Sequence, residues 1–253
     1  MEVWGVGRVI AAVGLSAMVY LLLAVNEALA LRWFGAKVRL RDVFAVSFVA
    51  YAFGNTIGLN LLVASAVRVR GYARQGVGLP TVAATSLSCS VAFWMGLAAV
   101  AGVSLLRTQA TLGIALMLTP IASICLCAFW RRPIRRFGRD WILPPPAWAL
   151  LQVVIGALIN LTLAGVIWVL LQDVRYFDFA GAYAASFALG LVSGVPGGLG
   201  VFEGAMLALL PDLDRAVLAA AFIGYRLTYF LIPLVLAIGV MLFRERRQWL
   251  RQP

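Results

Sequence analysis

Two charged residues sit where an apolar chain has no packing use for them. Glu203 lies in "SGVPGGLGVFEGAMLALL" (193–210), among glycines and Pro196 in an otherwise greasy run. Arg226 lies ten residues into the apolar run 216–243. At 1.5 Å per residue that is about 15 Å deep, near the centre of a ~30 Å hydrocarbon core. Each such charge costs roughly 2.5–3.5 kcal/mol to insert. Two readings stand side by side. The charges pair only to fix helix register, or they face a polar cavity and act on a substrate. A guanidinium matches phosphate oxygens with a planar fork. Tyr225, Arg226 and Tyr229 share a helical face by i, i+3 and i+4 spacing, which is expected to point inward. The expected geometry puts Glu203 near Arg226, and both near the first broken segment described below.

Other residues could contribute. In "SAVRVRGYARQGVGL" (65–79), Arg68, Arg70 and Arg74 surround Tyr72. They read either as a cytoplasmic mouth that captures a lipid phosphate or as plain positive-inside anchoring. Asn55 and Asn60 could hydrogen-bond a substrate or repair open backbone groups. Pro196, Gly197, Gly198 and Gly200 break a helix and bare its backbone, which lipid cannot satisfy. Glu27, with Asn26, sits about four residues from a helix end, where snorkelling is a cheap explanation. Cys89, Cys125 and Cys127 all lie in apolar spans, and the chain has no histidine. They read as small core residues rather than metal ligands, and no cofactor is expected. "GGLGVFEG" follows no strand and is not a dinucleotide fingerprint, and no P-loop is present. Gly200 and Gly204 make a G-x-x-x-G that says little where glycine is so dense. An intramembrane enzyme is the weakest reading, with Ser193 beside Glu203 its only candidate pair.

The elements that must carry these residues are membrane helices. Of 253 residues, 63% are hydrophobic and 12% charged, and the mean hydropathy is +0.97. A soluble domain is nearer one quarter charged. Spans long enough to cross run over 7–31, 81–106, 112–130, 147–171 and 216–243, and the segments 43–66 and 179–210 are interrupted by glycine, asparagine or proline. This predicts an all-α polytopic membrane protein, with about five transmembrane helices and two re-entrant broken hairpins. The net charge of +11 suits anionic lipid rather than nucleic acid, because no basic patch rides on a soluble fold. If both broken segments are re-entrant, one side collects fifteen basic residues and the other four. The positive-inside rule then places the N-terminus outside and the C-terminus in the cytoplasm of a cell membrane.

The chain also echoes itself at a displacement of 136 residues. Asp42 falls on Asp178, Ala52 on Ala188, Gly54 on Gly190, Gly58 on Gly194, and Tyr51 on Phe187. Three crossings separate the two broken segments, so they would enter from opposite sides. Broken segments at matching positions of inverted halves point to a transport site near the midplane. The halves run over about 7–106 and 147–243, joined by a linking helix at 112–130, in a single domain.

"VPGGLGVFEGAMLALL" (195–210) resembles the signature of the membrane domain of multiple-peptide-resistance factors, the lysylphosphatidylglycerol synthetases, which also occurs as stand-alone integral membrane proteins. "RWFGAKVRLRDVFAVSFVAYAFGNTIGLNLLVASAVRVRGYARQGVGL" (32–79) is similar to its other marked block, where the matching run is Arg68, Arg70 and Tyr72, with Gly71 intervening and Gly76 following. The resemblance implies a flippase-like module that moves a phosphatidylglycerol-type or aminoacylated headgroup between leaflets of the inner membrane. Its partners would be membrane phospholipid and either a second copy or a separate lipid-modifying enzyme. The chain ends at Pro253 without the synthase domain, so aminoacyl transfer is not implied. It also starts one apolar helix later than relatives commonly do. The expected path residues are Asn55, Asn60, Arg68, Arg70, Tyr72, Pro196, Gly197, Gly198, Gly200, Glu203, Tyr225 and Arg226. A secondary transporter of a small anion and a non-transporting membrane partner remain the alternatives.

Overall fold

The computed structural model describes residues 4–57, 60–106, 109–130, 132–136, 139–171 and 174–249, with the side chains of 60–61, 134–136, 139–141, 178, 196 and 244–249 left out. Ten α-helices make up nearly all of it. They are α1 (Val6–Trp33), α2 (Leu40–Ile57), α3 (Asn60–Ala73), α4 (Leu79–Leu105), α5 (Ala110–Phe129), α6 (Pro146–Trp168), α7 (Tyr176–Val192), α8 (Val201–Leu209), α9 (Arg215–Tyr225) and α10 (Ile232–Trp249). One π-helical stretch, Arg226–Leu231, joins α9 to α10 without a break in direction of the chain's helical run. Among the described residues, five helical segments are long and apolar enough to cross a membrane: α1, α4, α5, α6 and Arg215–Phe243. These match the five predicted spans to within a few residues. The loop between α5 and α6, predicted as plain loop, carries a small ribbon of β1 (Ile134–Arg136) and β2 (Arg139–Trp141), paired antiparallel.

Helix boundaries follow local chemistry. Pro80 and Pro146 open α4 and α6, where a missing N–H costs nothing. Asp214 caps α9 by accepting from the N–H of Ala216 at 2.7 Å.

Side-chain contacts fix which way each helix runs. Leu31 at the end of α1, Val43 and Val46 at the start of α2, Tyr72 at the end of α3 and Val82 at the start of α4 form one apolar cluster. So α2 and α3 fold back on each other and return to the end they left. Trp33 meets Trp148 with ring centroids 5.9 Å apart, which brings the start of α6 to the same end. We call this end face A and the opposite one face B. At face B, Gly113 of α5 lies against Leu105 and Leu106 at the end of α4, and Gly181 of α7 against Ser104. Trp168 at the end of α6 meets Tyr176 at the start of α7. Tyr183 packs on Phe202 while Gly190 touches Gly198, so α7 and α8 form a second antiparallel hairpin, entered from face B. The fold is therefore two inverted units. One runs B to A, hairpin, A to B. The other runs A to B, hairpin, B to A.

The displacement of 136 residues survives at the level of elements. Moved by that amount, α2 (40–57) lands on 176–193 and α3 (60–73) on 196–209, against observed segments 176–192 and 196–209. Likewise α1 lands on α6, and α4 on the helical run that begins at Arg215. Of the matched residues quoted for the repeat, Gly58 and the side chain of Asp178 lie outside the described residues.

The units are held together most closely by α4 and α6, which run parallel. A Cβ built on Gly96 would lie 2.1 Å from the backbone carbon of Gly156, and one on Gly156 would lie 2.0 Å from the Ala92 carbonyl oxygen. Small residues at this crossing let two backbones touch, which is how membrane helices gain packing without a hydrophobic drive. Asn160 tightens it by donating to the Phe93 carbonyl at 3.2 Å, and Gln152 donates to Ser88 Oγ at 2.9 Å. The G-x-x-x-G at Gly200 and Gly204 plays no such part, since neither meets a neighbour within 4 Å.

Candidate functional site

Among the described residues, two ion pairs lie within the transmembrane region, one in each unit, and they differ in kind.

The pair in the first unit is sealed. Arg68 and Tyr72 are four residues apart on α3, so both reach the same neighbour. That neighbour is Glu27 of α1. Arg68 Nη2 donates to Glu27 Oε2 at 2.8 Å and the Tyr72 hydroxyl donates to Oε1 at 2.6 Å. The guanidinium also lies over the Tyr51 ring of α2, 4.7 Å from its centroid, and donates to Ser86 Oγ of α4 at 3.4 Å. The side chains of Arg68 and Glu27 are 3% and 0% exposed. The structure thus corrects two expectations. Glu27 does not snorkel, because its partner is a buried cation nearer than any interface. Arg68 is not at a mouth, because α3 is helical through it and turns it into the protein. Arg70, two residues on, does face outward at the face A end of α3, as does Arg74. Arg68 therefore belongs to the core rather than to the charge of face A.

The second pair is open. Arg226 Nε donates to Glu203 Oε1 at 3.0 Å, and Nη2 reaches the same oxygen. Arg226 and Glu203 are 25% and 21% exposed. Glu203 sits in the first turn of α8, and its Oε2 accepts from the Gly200 N–H at 2.8 Å. This satisfies one of the N–H groups that every helix start leaves open. Arg226 Nη2 also donates to the Gly197 carbonyl at 3.3 Å. Gly197 and Gly200 have φ of +60° and +80°, a region that side chains with a Cβ avoid. These turns bring the Pro196–Gly198 segment over Arg226. A Cβ on Gly197 would fall 3.3 Å from Arg226 Nη1 and 3.8 Å from the Asn55 carbonyl oxygen. So the tips of the two hairpins meet at this pair.

The π stretch explains why Arg226 can turn this way. Pro233 has no N–H to give the Tyr229 carbonyl four residues earlier, and its ring crowds that oxygen. The helix widens on the preceding turn, where the Ile232 N–H bonds to the Leu227 carbonyl. The Tyr20 hydroxyl of α1 supplies the missing donor to the Tyr229 carbonyl at 3.1 Å. Tyr225 and Tyr229 stack with ring centroids 5.5 Å apart and planes 5° from parallel, both buried. Asn55 at the tip of the first hairpin donates to the Tyr229 hydroxyl at 2.9 Å. Of the expected path residues, the structure therefore joins Asn55, Gly197, Gly200, Glu203, Tyr225 and Arg226. Gly198 packs against Gly190 beside them. Arg68, Tyr72 and Arg70 are elsewhere. The side chains of Asn60 and Pro196 lie outside the described residues.

The cysteines are free. Cys89 is buried near Arg68, whereas Cys125 is exposed and Cys127 half-buried on α5, so only Cys89 is a core residue as expected. Among the described residues no group of His, Cys, Asp or Glu could hold a metal ion.

No family model matches the chain. It is 30% identical to the inner membrane protein YbhN of Escherichia coli (strain K12), over 96% of this chain and 84% of that protein. The chain belongs to the YbhN family. It is also 31% identical to the uncharacterized protein slr0712 of Synechocystis sp. (strain ATCC 27184 / PCC 6803 / Kazusa), over 97% of this chain and 83% of that protein. The shared region spans both ion pairs, both hairpins and the small-residue crossing of α4 with α6. It is the region of a multi-pass membrane protein.

Proposed function

We propose that this protein is a lipid translocator of the inner membrane, which lets a phospholipid headgroup pass between leaflets at the Glu203–Arg226 pair. One observation carries the reading. An ion pair a quarter exposed at about half depth cannot face hydrocarbon without a cost of several kcal/mol. Its open side is then a polar path, and Arg226 is the group in it that suits a phosphate. The meeting hairpin tips support this, since irregular backbone at membrane depth is tolerated where it lines a cavity. The likeness of 195–210 to the membrane domain of multiple-peptide-resistance factors points to the same lipid class. In this reading Glu203 holds Arg226 when no headgroup is present, and a phosphate competes for the guanidinium. Arg68 serves only to fix the first hairpin. Face A, which carries Lys37, Arg39, Arg41, Arg70 and Arg74, is the cytoplasmic face. The chain transports rather than catalyses.

The test is lipid movement in reconstituted vesicles. Fluorescent phosphatidylglycerol equilibrates faster with wild-type protein than with empty vesicles. The folded variant Glu203→Gln loses most of that rate. Equal rates for protein and empty vesicles, beside a working control flippase, would sink the proposal.

A further inference from the structure

A second crevice lies away from the ion pair. It is a groove of about 530 Å³ between α1 and α2 of the first unit and α10 of the second. Along α1 it runs from Val13 to Ala24, and along the facing strand of helix from Thr228 to Val240. At 1.5 Å per residue these stretches are about 16 and 18 Å long, close to half of a ~30 Å hydrocarbon core. Arg41 lines the groove at face A, and along α1 it passes Tyr20 and continues to Ser16 and Val13, toward face B. Its walls are almost entirely apolar.

The two ends differ in chemistry. Arg41 is 74% exposed, 4.0 Å from Asp42, and follows the exposed Lys37 and Arg39 at alternate positions of the preceding loop. The mouth is therefore positive at the depth of lipid phosphates. The deep end carries Ser16, whose hydroxyl is buried without a hydrogen-bond partner among the described residues. It also carries Tyr20, whose hydroxyl holds the Tyr229 carbonyl of the π stretch. The groove thus touches, through Tyr20, the π stretch that carries Arg226.

We propose that this groove seats one acyl chain of an anionic phospholipid, with its phosphate on Arg41 at face A. The length fits one leaflet, the walls fit a hydrocarbon chain, and the charge at the mouth selects the headgroup. The inference deepens the lipid reading above and rests on it for its purpose. It also places the waiting lipid against Tyr20, which holds the π stretch that carries Arg226.

Binding can be measured without transport, so the two readings fail separately. Purified, delipidated protein is titrated with dioleoyl phosphatidylglycerol or dioleoyl phosphatidylcholine, and bound lipid is counted by native mass spectrometry. Wild type is expected to hold phosphatidylglycerol about fivefold more tightly, the value of one basic residue near an anionic lipid. Arg41→Gln removes that preference and leaves the weaker binding of both lipids. Ala45→Trp fills the groove from α2 and removes the bound lipid. Ala17→Trp does so from the exposed side of α1, and serves if the first variant does not fold. Retention of lipid by either folded tryptophan variant at the wild-type level overturns the proposal. Equal affinity for the two lipids, unchanged by Arg41→Gln, overturns its headgroup part. Wild-type protein that binds lipid in this way but moves none between leaflets would instead count against the Glu203–Arg226 reading alone.

Discussion

Removing one partner of the sealed pair should destabilise the protein far more than removing both. The Glu27 and Arg68 charges lie in contact at 2.8 Å, with essentially no solvent exposure. Two unit charges about 4 Å apart attract by ~4 kcal/mol at an effective dielectric of 20. Glu27→Gln leaves a buried guanidinium without its counter-charge, and breaking such a pair costs about 3–5 kcal/mol. Arg68→Met leaves the carboxylate in the same position, with the Tyr72 hydroxyl as its remaining bond. The triple variant Glu27→Leu, Arg68→Met, Tyr72→Phe removes both charges and the Tyr72 hydroxyl at once, and leaves Ser86 Oγ with Ser65 as its partner. It buries no charge from this set, and apolar replacement of a buried pair is often neutral or better. The expected order of unfolding free energy is therefore wild type and triple variant close together, with both single variants about 3 kcal/mol or more below. The assay is reversible unfolding in mixed micelles of detergent and SDS, with a Glu27/Arg68 double-mutant cycle to isolate the coupling. Single variants that each cost under about 1 kcal/mol, or effects that simply add, would refute the claim that this pair is what pins the first hairpin to α1.

Two further predictions concern glycines. Gly96→Ala puts a methyl group into the backbone of α6, 2.1 Å from a carbon that cannot rotate away. The helices must separate, and a loss of about 1–3 kcal/mol or more is expected in the same unfolding assay. Gly204→Ala, with open space around it, is the matched control and should cost almost nothing. In the tip of the second hairpin, Gly197→Ala and Gly200→Ala both force a residue with a Cβ into a left-handed conformation, at about 1–2 kcal/mol each. Only the first also presses on Arg226, so it should slow lipid movement beyond what its stability loss explains, while Gly200→Ala should not.

Much of this architecture is written in hydropathy. An uninterrupted apolar run of 20 or more residues has few alternatives in a membrane, so the five crossings fall where composition puts them. The hairpins were legible for a different reason: glycine, proline and asparagine in an apolar run signal backbone that must not meet lipid. Pairing across helices was less readable. Glu203 and Arg226 could be matched because each is alone at depth with no nearer partner. Glu27 and Arg68 could not, because each lies close enough to a helix end for an interface to look sufficient, and sequence does not show which way α3 faces. A sharper signal was available in the spacing of Arg68 and Tyr72, one turn apart and so aimed together. Pro233 likewise announced a disturbed turn at Tyr229, but propensity alone does not say whether a proline kinks a helix or widens it.

The repeat explains what kind of machine the two pairs could make. Displaced by 136 residues, Glu203 falls on Val67, the neighbour of Arg68. Both hairpins thus carry a charge at one place, the middle of the returning arm, but with opposite sign. The partners differ too. Arg68 reaches back to α1, the helix before its hairpin, and is sealed by Tyr51, Tyr72 and Ser86. Glu203 reaches forward to Arg226, on the helix after its hairpin, through a turn widened by Pro233. Inverted units of one backbone plan usually work by moving one against the other around a central site. Here the asymmetry says which is fixed. Releasing the first hairpin means exposing a fully buried charge pair, at a cost of several kcal/mol. Releasing the second means parting a pair already open to its surroundings and pivoting on left-handed glycines. In the translocator proposed above, the second hairpin is therefore the part that would move, and the first, with α1 and α4, the frame it would move against.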